Sequence, residues 1–298
     1  VKSIAEHAKL LISDNFVETT EISQIKIEPK NVLNIHNKKF LLMPINSSKR
    51  ELYDILDYVF YYYNILRAKF SDNTLNITQY KEDHFVFETV DILFNDISSF
   101  IDDVNLFDDE LVKSYYLSTE KNNYLLMVIS EVLADNKSLD IILNSVRKLI
   151  VLQENNEKLY LDNDSILFFN YLNQLKEYSE SYEVENETLY WNKVLNNIEK
   201  VNLSNNLHNE KDFNLQYIPI ELDLYDKSIY KSFNINVEQL IVATFSYTLS
   251  KLTNKVNIAF DVENHNRTPI NEYMHINNAV GNFDYYYPIN IHVKDNLK

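Results

Sequence analysis

Leu52, Ile55, Leu56, Val59, Phe60, Tyr63 and Leu66 recur at three- and four-residue spacing, which predicts an amphipathic helix. Ser48 and Glu51 stand where a capping box would open it. The run KKFLLMPIN (38 to 46) ahead of it reads as a strand. Further strands are expected at 74 to 80, 84 to 88, 111 to 118 and 123 to 129, the last two joined by the polar turn Thr119 to Asn122. Asp135 sits as an N-cap before a helix over 137 to 152, and two more helices are expected near 164 to 178 and 187 to 200. A strand (213 to 222), a helix (237 to 253) with Asn236 and Gln239 as its capping box, and strands at 255 to 262 and 284 to 293 complete the pattern. At the other end, residues 3 to 12 read as a short helix capped by Ser3, followed by a polar connector.

Strand, helix and strand recur on both sides of an acidic, Ser/Glu-rich stretch that ends near 187. That repetition predicts an α/β protein of two related lobes. No helix is expected after the final strand, so the second lobe reads as partial.

Composition then excludes chemistry. The 298 residues include a single glycine, Gly281, where average usage near 7% would give roughly twenty. P-loops, GxGxxG fingerprints and GxSxG nucleophile elbows all need glycines and cannot be built. Cysteine is absent, which removes thiol nucleophiles, disulfides and thiolate metal sites, and fits a cytoplasmic setting. A formal charge of -16 opposes nucleic acids and anionic membranes as partners. The seven histidines show no HxxxH or HExxH spacing, so no metal site is expected from sequence neighbours. Abundant asparagine offers turns an alternative to glycine, because it tolerates left-handed backbone angles.

Several segments resemble the motifs of nonribosomal peptide synthetase condensation domains. YYYNILRAKF (61 to 70) is similar to RHExLRTxF, keeping Leu66, Arg67 and Phe70 without the Arg-His-Glu. ISEVLADNKSLDIIL stands in the place of the HHxxxDGxS signature, with Ser130, Glu131, Asp135, Asn136 and Ser138 at its positions. FFNYLNQ (168 to 174) resembles YxDYAxW through Tyr171, and ETLYWNKVL (187 to 195) the family's linker helix with its Tyr-Trp pair. Asn266 and Arg267 fall where a Gly-Arg pair is expected, and VGNFDYYYP (280 to 288) resembles IGxFVNTxP. The motifs follow one another in the family's order between about 40 and 293. VKSIAEHAKLL, at the start, resembles the last helix of an acyl or peptidyl carrier domain.

The resemblance implies an α/β fold of two chloramphenicol-acetyltransferase-like lobes in a V-shaped pseudo-dimer. It divides the chain into a carrier-domain helix (1 to 15), a linker (16 to 37), an N-terminal lobe (38 to 186) and a partial C-terminal lobe (187 to 298). It also implies a tunnel into which the phosphopantetheine arms of carrier domains reach. No covalently bound cofactor is expected, and the partners would be carrier domains, neighbouring synthetase domains or a trans-acting enzyme. In active members the second His of the signature lies beside the attacking amine, where an imidazole can orient it and accept its proton. Here Ser130 and Glu131 occupy the two His positions, so amide-bond formation is not expected. Glu131 is either a tolerated polar replacement or a substitute acid or base for acyl transfer.

Asp135 and Arg267, by the same resemblance, are structural at the site and are expected to form an ion pair between lobes, unless they are unrelated surface charges. Ser138, Gly281, Tyr285 and Tyr286 are expected to line the tunnel, with the tyrosines narrowing it. Asp261, Glu263 and His265 alternate, and read as a solvated face or a further part of that lining. The whole reads as a condensation-type domain that serves as a spacer or docking surface, with Glu131-dependent acyl transfer as the alternative.

Overall fold

A computed structural model of the chain describes residues 23–26, 36–81, 85–161, 168–196, 198, 235–264 and 267–294. The expected carrier-domain helix, the strand at 213 to 222, Asn266 and His265 lie outside the described residues. The described part divides into two compact units. One takes in the residues up to Glu187 together with Glu263–Tyr285, and the other Thr188–Val262 with Tyr286–Lys298.

The first unit is built on a four-stranded sheet. Its strands are β2 (Lys38–Ile45), β5 (Val86–Asp91), β6 (Val112–Ser118) and β7 (Asn123–Ser130), in the order β2-β7-β6-β5. β7 pairs antiparallel with β2 and β6, while β5 runs parallel to β6. A second sheet joins β1 (Ser23–Lys26), β4 (Thr74–Ile77) and β3 (Ala68–Ser71). The apolar run of β7 faces two cores in alternation, as a pleated strand covered on both sides must. Leu125, Met127 and Ile129 pack into the larger core with α1 (Lys49–Tyr62) and α3 (Asn136–Glu154). Leu126 and Val128 pack on the opposite face with Ile97 and Ile101 of α2 (Ile97–Asp103). Lys38 ties that helix down, its Nζ lying 2.7 Å from each of the carbonyls of Ile101, Asp102 and Val104 at the C-terminal end, where a cation offsets the helix dipole.

The capping boxes form as the residues predict. Ser48 accepts from the Glu51 backbone while the Glu51 carboxylate takes the Ser48 N–H at 2.7 Å. Asn236 and Gln239 do the same for α6 (Val237–Thr253). α1 ends at Tyr62, earlier than its hydrophobic stripe implies, and Asn64–Arg67 continues as a 3-10 turn that still buries Ile65 and Leu66. Arg67 holds that junction. Its Nη1 donates to the Phe60 and Tyr61 carbonyls and its Nε to the Thr78 carbonyl at 3.1 Å. Burial lowers the Arg67 pKa, yet the group remains a cation aimed at a helix C-terminus.

The segments β1, β3 and α2 go beyond the elements the sequence predicts. β3 turns into β4 through Asp72 and Asn73, both with positive φ (50° and 58°). Two consecutive left-handed residues make the kind of turn that matches the twist of a hairpin. Asn254, with φ of 56°, ends α6 in the same left-handed way, and Asn156 (φ 57°) follows α3. In this chain Asp and Asn hold the positions that glycine usually takes.

The second unit contains the end of α5 (Glu183–Leu195), α6 and parts of the β8–β9 pair (Asn257–Asn264 and Tyr285–His292). His292 Nδ1 meets Asn257 Oδ1 at 2.8 Å across that pair. Its rings pack as local pairs, Phe245 on Phe260 and Tyr190 on Trp191. The remaining helix, α4 (Phe168–Ser179), belongs to the first unit. Among the described residues no helix is long and apolar enough to cross a membrane.

The hairpin turn makes the glycine economy measurable. Asn73→Gly is expected to hold or raise the melting temperature, and Asn73→Ala to lower stability by about 1 kcal/mol, because a β-carbon without a compensating side-chain polar group costs most at positive φ. Thermal unfolding followed by circular dichroism distinguishes the two.

Candidate functional site

The signature segment begins where β7 leaves the sheet. Ser130 is its last residue and is fully buried, with its N–H donating to the Leu111 carbonyl at 2.9 Å. Glu131 follows in the turn. Its N–H donates to the Asn37 carbonyl and its own carbonyl accepts from Asn282 Nδ2, both at 2.9 Å. Thus the backbone of Glu131 is fixed, while its carboxylate makes no hydrogen bond or ion pair among the described residues.

Asp135 is the N-cap of α3, and it does more than cap. Its Oδ1 accepts from the Ser138 N–H at 2.7 Å and from Arg267 Nη2 at 2.8 Å, and its Oδ2 from the Phe283 N–H at 3.1 Å. The pair is buried, with side-chain exposures of 4% for Arg267 and 0% for Asp135. Arg267 Nε and Nη2 also reach the Ala279 carbonyl at 3.2 and 3.1 Å, and its guanidinium stacks 4.4 Å from the centre of the Phe283 ring. Nη1, likewise buried, has no hydrogen-bond partner among the described residues.

Ser138 sits on the other side of the pair. Its hydroxyl donates to the Gly281 carbonyl at 2.7 Å and accepts from the Gly281 N–H at 3.0 Å and from Arg267 Nη2 at 2.7 Å. With the Asp135 N–H donating to the Gly281 carbonyl at 3.1 Å, the segment 279 to 283 is laced to the first turn of α3. Residues 263 to 285 belong to the same compact unit as α3, so the clamp lies within that unit. Ser138, expected as tunnel lining, is fully buried.

Gly281 is buried in the same clamp, and its φ is not positive. Close approach explains the missing side chain, since a β-carbon there would lie 2.3 Å from two ring carbons of Phe168. Phe168 in turn packs edge-on against Phe283, with ring centres 4.9 Å apart.

Beyond that contact a cavity of about 190 Å3 opens, lined mainly by α4 and the segments 268 to 270 and 282 to 285. Tyr285 lines it, whereas Tyr286, in the other unit, is 53% exposed and does not. Tyr171 lines it as well, and burial, with the Tyr285 phenol facing it, pushes the Tyr171 pKa up to about 12. Asp284 at its edge pairs with Lys39 at 3.5 Å. Asn282, Asp284 and Glu187 were not singled out by sequence, since nothing in their spacing distinguishes them from solvated polar residues.

Two outcomes test these contacts. Arg267→Ala leaves the buried Asp135 carboxylate unpaired and is expected to cost roughly 3–5 kcal/mol in urea unfolding, while Asp135→Asn combined with Arg267→Met costs less than the sum of the single changes. The raised Tyr171 pKa adds stability that is complete below the ordinary tyrosine value near 10.0 and is lost as pH rises from there to about 12. Unfolding free energies between pH 9 and 12 are therefore expected to fall less steeply in Tyr171→Phe.

No protein of curated function matches the chain by sequence. Solved structures match its fold. The epimerization domain from the third module of tyrocidine synthetase B superposes with a TM-score of 0.75 at 14% identity, covering 89% of this chain and 66% of that one. The structure described as the molecular basis for condensation domain-mediated chain release from the enacyloxin polyketide synthase gives 0.68 at 14%, covering 99% and 62%. The first condensation domain of the calcium-dependent antibiotic synthetase, in complex with a substrate analogue, gives 0.68 at 10%, covering 89% and 66%. This chain therefore spans less than two thirds of the length of these structures, and its fold is the α/β fold they share. Residues 42–298 match the family described as Condensation domain, and the chain belongs to that family.

Proposed function

We propose that this condensation-type domain works within a modular peptide or polyketide synthetase without forming amide bonds, as a spacer or docking surface for carrier domains. One observation carries the reading: the two positions of the family's histidine pair hold a fully buried serine, Ser130, and Glu131, whose carboxylate no described residue orients. A general base must be held within hydrogen-bond reach of the proton it takes, and its pKa must suit the task. The residues that the resemblance makes architectural, Asp135 and Arg267, are joined by hydrogen bonds to each other and to Ser138, which supports the reading. A domain with this division keeps its shape and offers no imidazole where the amine would attack.

The partners follow from the same reading: carrier domains bearing phosphopantetheine arms, and adjoining synthetase domains. The net charge of -16 favours contact surfaces carrying basic patches, through long-range steering.

Loading the neighbouring carriers with thioester substrates tests the proposal. Neither the wild-type chain nor Glu131→Ala is expected to transfer the acyl group, as followed by intact-protein mass spectrometry. Transfer by the wild type that Glu131→Ala abolishes would establish the carboxylate as the working base, and equal transfer by both would overturn the silent-domain reading and the Glu131 alternative together.

A further inference from the structure

The cavity beside α4 has a lining of definite chemistry. Five aromatic side chains border it: Phe168, Tyr171, Tyr178, Phe283 and Tyr285. Its two charged residues, Glu187 and Asp284, are both acidic, and no Lys, Arg or His is among the lining residues. The cations that stand nearby are already engaged, Lys39 with Asp284 at 3.5 Å and Arg267 with Asp135 at 2.8 Å. Glu187 is oriented by the Tyr178 hydroxyl, which donates to its Oε1 at 2.6 Å. A carboxylate has about four lone-pair sites, so this bond aims the group and leaves acceptor capacity on it.

We infer that this cavity binds a small organic cation with an apolar body, such as an arylalkylammonium. The ammonium lies against Glu187 and the tyrosine faces, and the hydrocarbon against Leu172, Leu175 and Phe168. Aromatic faces attract cations through their quadrupoles, and the attraction grows where water is excluded. An anion finds no positive partner in such a lining. A neutral ligand such as an alcohol gains the apolar contacts and can donate an O–H to Glu187, but it brings no positive charge to the carboxylate or to the aromatic faces. Size agrees with one ring and a short chain: an apolar cavity of about 150 Å3 accommodates benzene, and this one is about 190 Å3.

The site stands apart from the silent-domain reading, because Glu131, the residue named for transfer chemistry, does not line it. Binding is measured without carriers, so its failure leaves the question of acyl transfer untouched. Titration calorimetry of the whole chain with 2-phenylethylammonium, 2-phenylethanol and 3-phenylpropanoate is the test. The ammonium compound is expected to bind about tenfold more tightly than the alcohol, and the carboxylate more weakly than either. Glu187→Gln is expected to abolish most of that preference while keeping alcohol affinity, and Leu175→Trp, which fills the cavity, to weaken both. Circular dichroism verifies that each variant is folded, and Leu175→Phe replaces Leu175→Trp if that chain does not fold. Equal binding of ammonium and alcohol, an unchanged preference in Glu187→Gln, or no saturable binding of the ammonium compound overturns the inference.

Discussion

The first unit depends on one buried charge pair. Taking the Asp135 carboxylate and the Arg267 guanidinium out of water costs several kcal/mol per ion, and their mutual attraction offsets this only when the surrounding polar atoms are satisfied as well. Here most of them are. Asp135 receives backbone N–H groups from Ser138 and Phe283, and Ser138 uses its hydroxyl as donor and acceptor. Among the described residues the exception is Nη1 of Arg267, a donor without a hydrogen-bond partner. Such a pair contributes more to specifying one arrangement than to net stability, since any other seating of the segment 279 to 283 would strand a buried charge.

That constraint acts at the cap of α3 and not at the end of β7. Ser130 and Glu131 lie at the end of β7, where the strand leaves the sheet, and Asp135 and Ser138 lie one turn later at the cap of α3. Asp135 and Ser138 hold together two segments that are more than a hundred residues apart in sequence. Among the described residues Glu131 is hydrogen-bonded through its backbone, and its side chain takes no part in the hydrogen bonds of the clamp. Loss of Asp135 or Arg267 would expose the protein to an unpaired ion in a dry interior.

Much of the scaffold was legible from residue spacing. The helices α1, α3 and α6 were visible because their apolar stripes and caps act locally, and the strands β2, β6 and β7 because their runs are long and bounded by polar turns. The short pieces were not. α2 is seven residues long and is held by Lys38, a residue some sixty positions away, and β3 depends on a turn of Asp72 and Asn73 whose left-handed angles a glycine-based search does not find. The early end of α1 at Tyr62 shows the same limit, since Ile65 and Leu66 remain buried in the core without belonging to the helix.

By itself the sequence determined the order of elements and the absence of glycine-loop and thiol chemistry, because each follows from which residues are present and how they are spaced. Only the tertiary structure decided what those residues touch. It placed Arg267 on Asp135 inside one unit, enclosed Ser138, and showed that Gly281 is required by the ring of Phe168 rather than by a left-handed backbone. It also gathered Glu187, Tyr178 and Phe283 around one cavity from places in the chain that share no pattern. Contacts between distant segments arise from packing in three dimensions, and local periodicity carries no record of them.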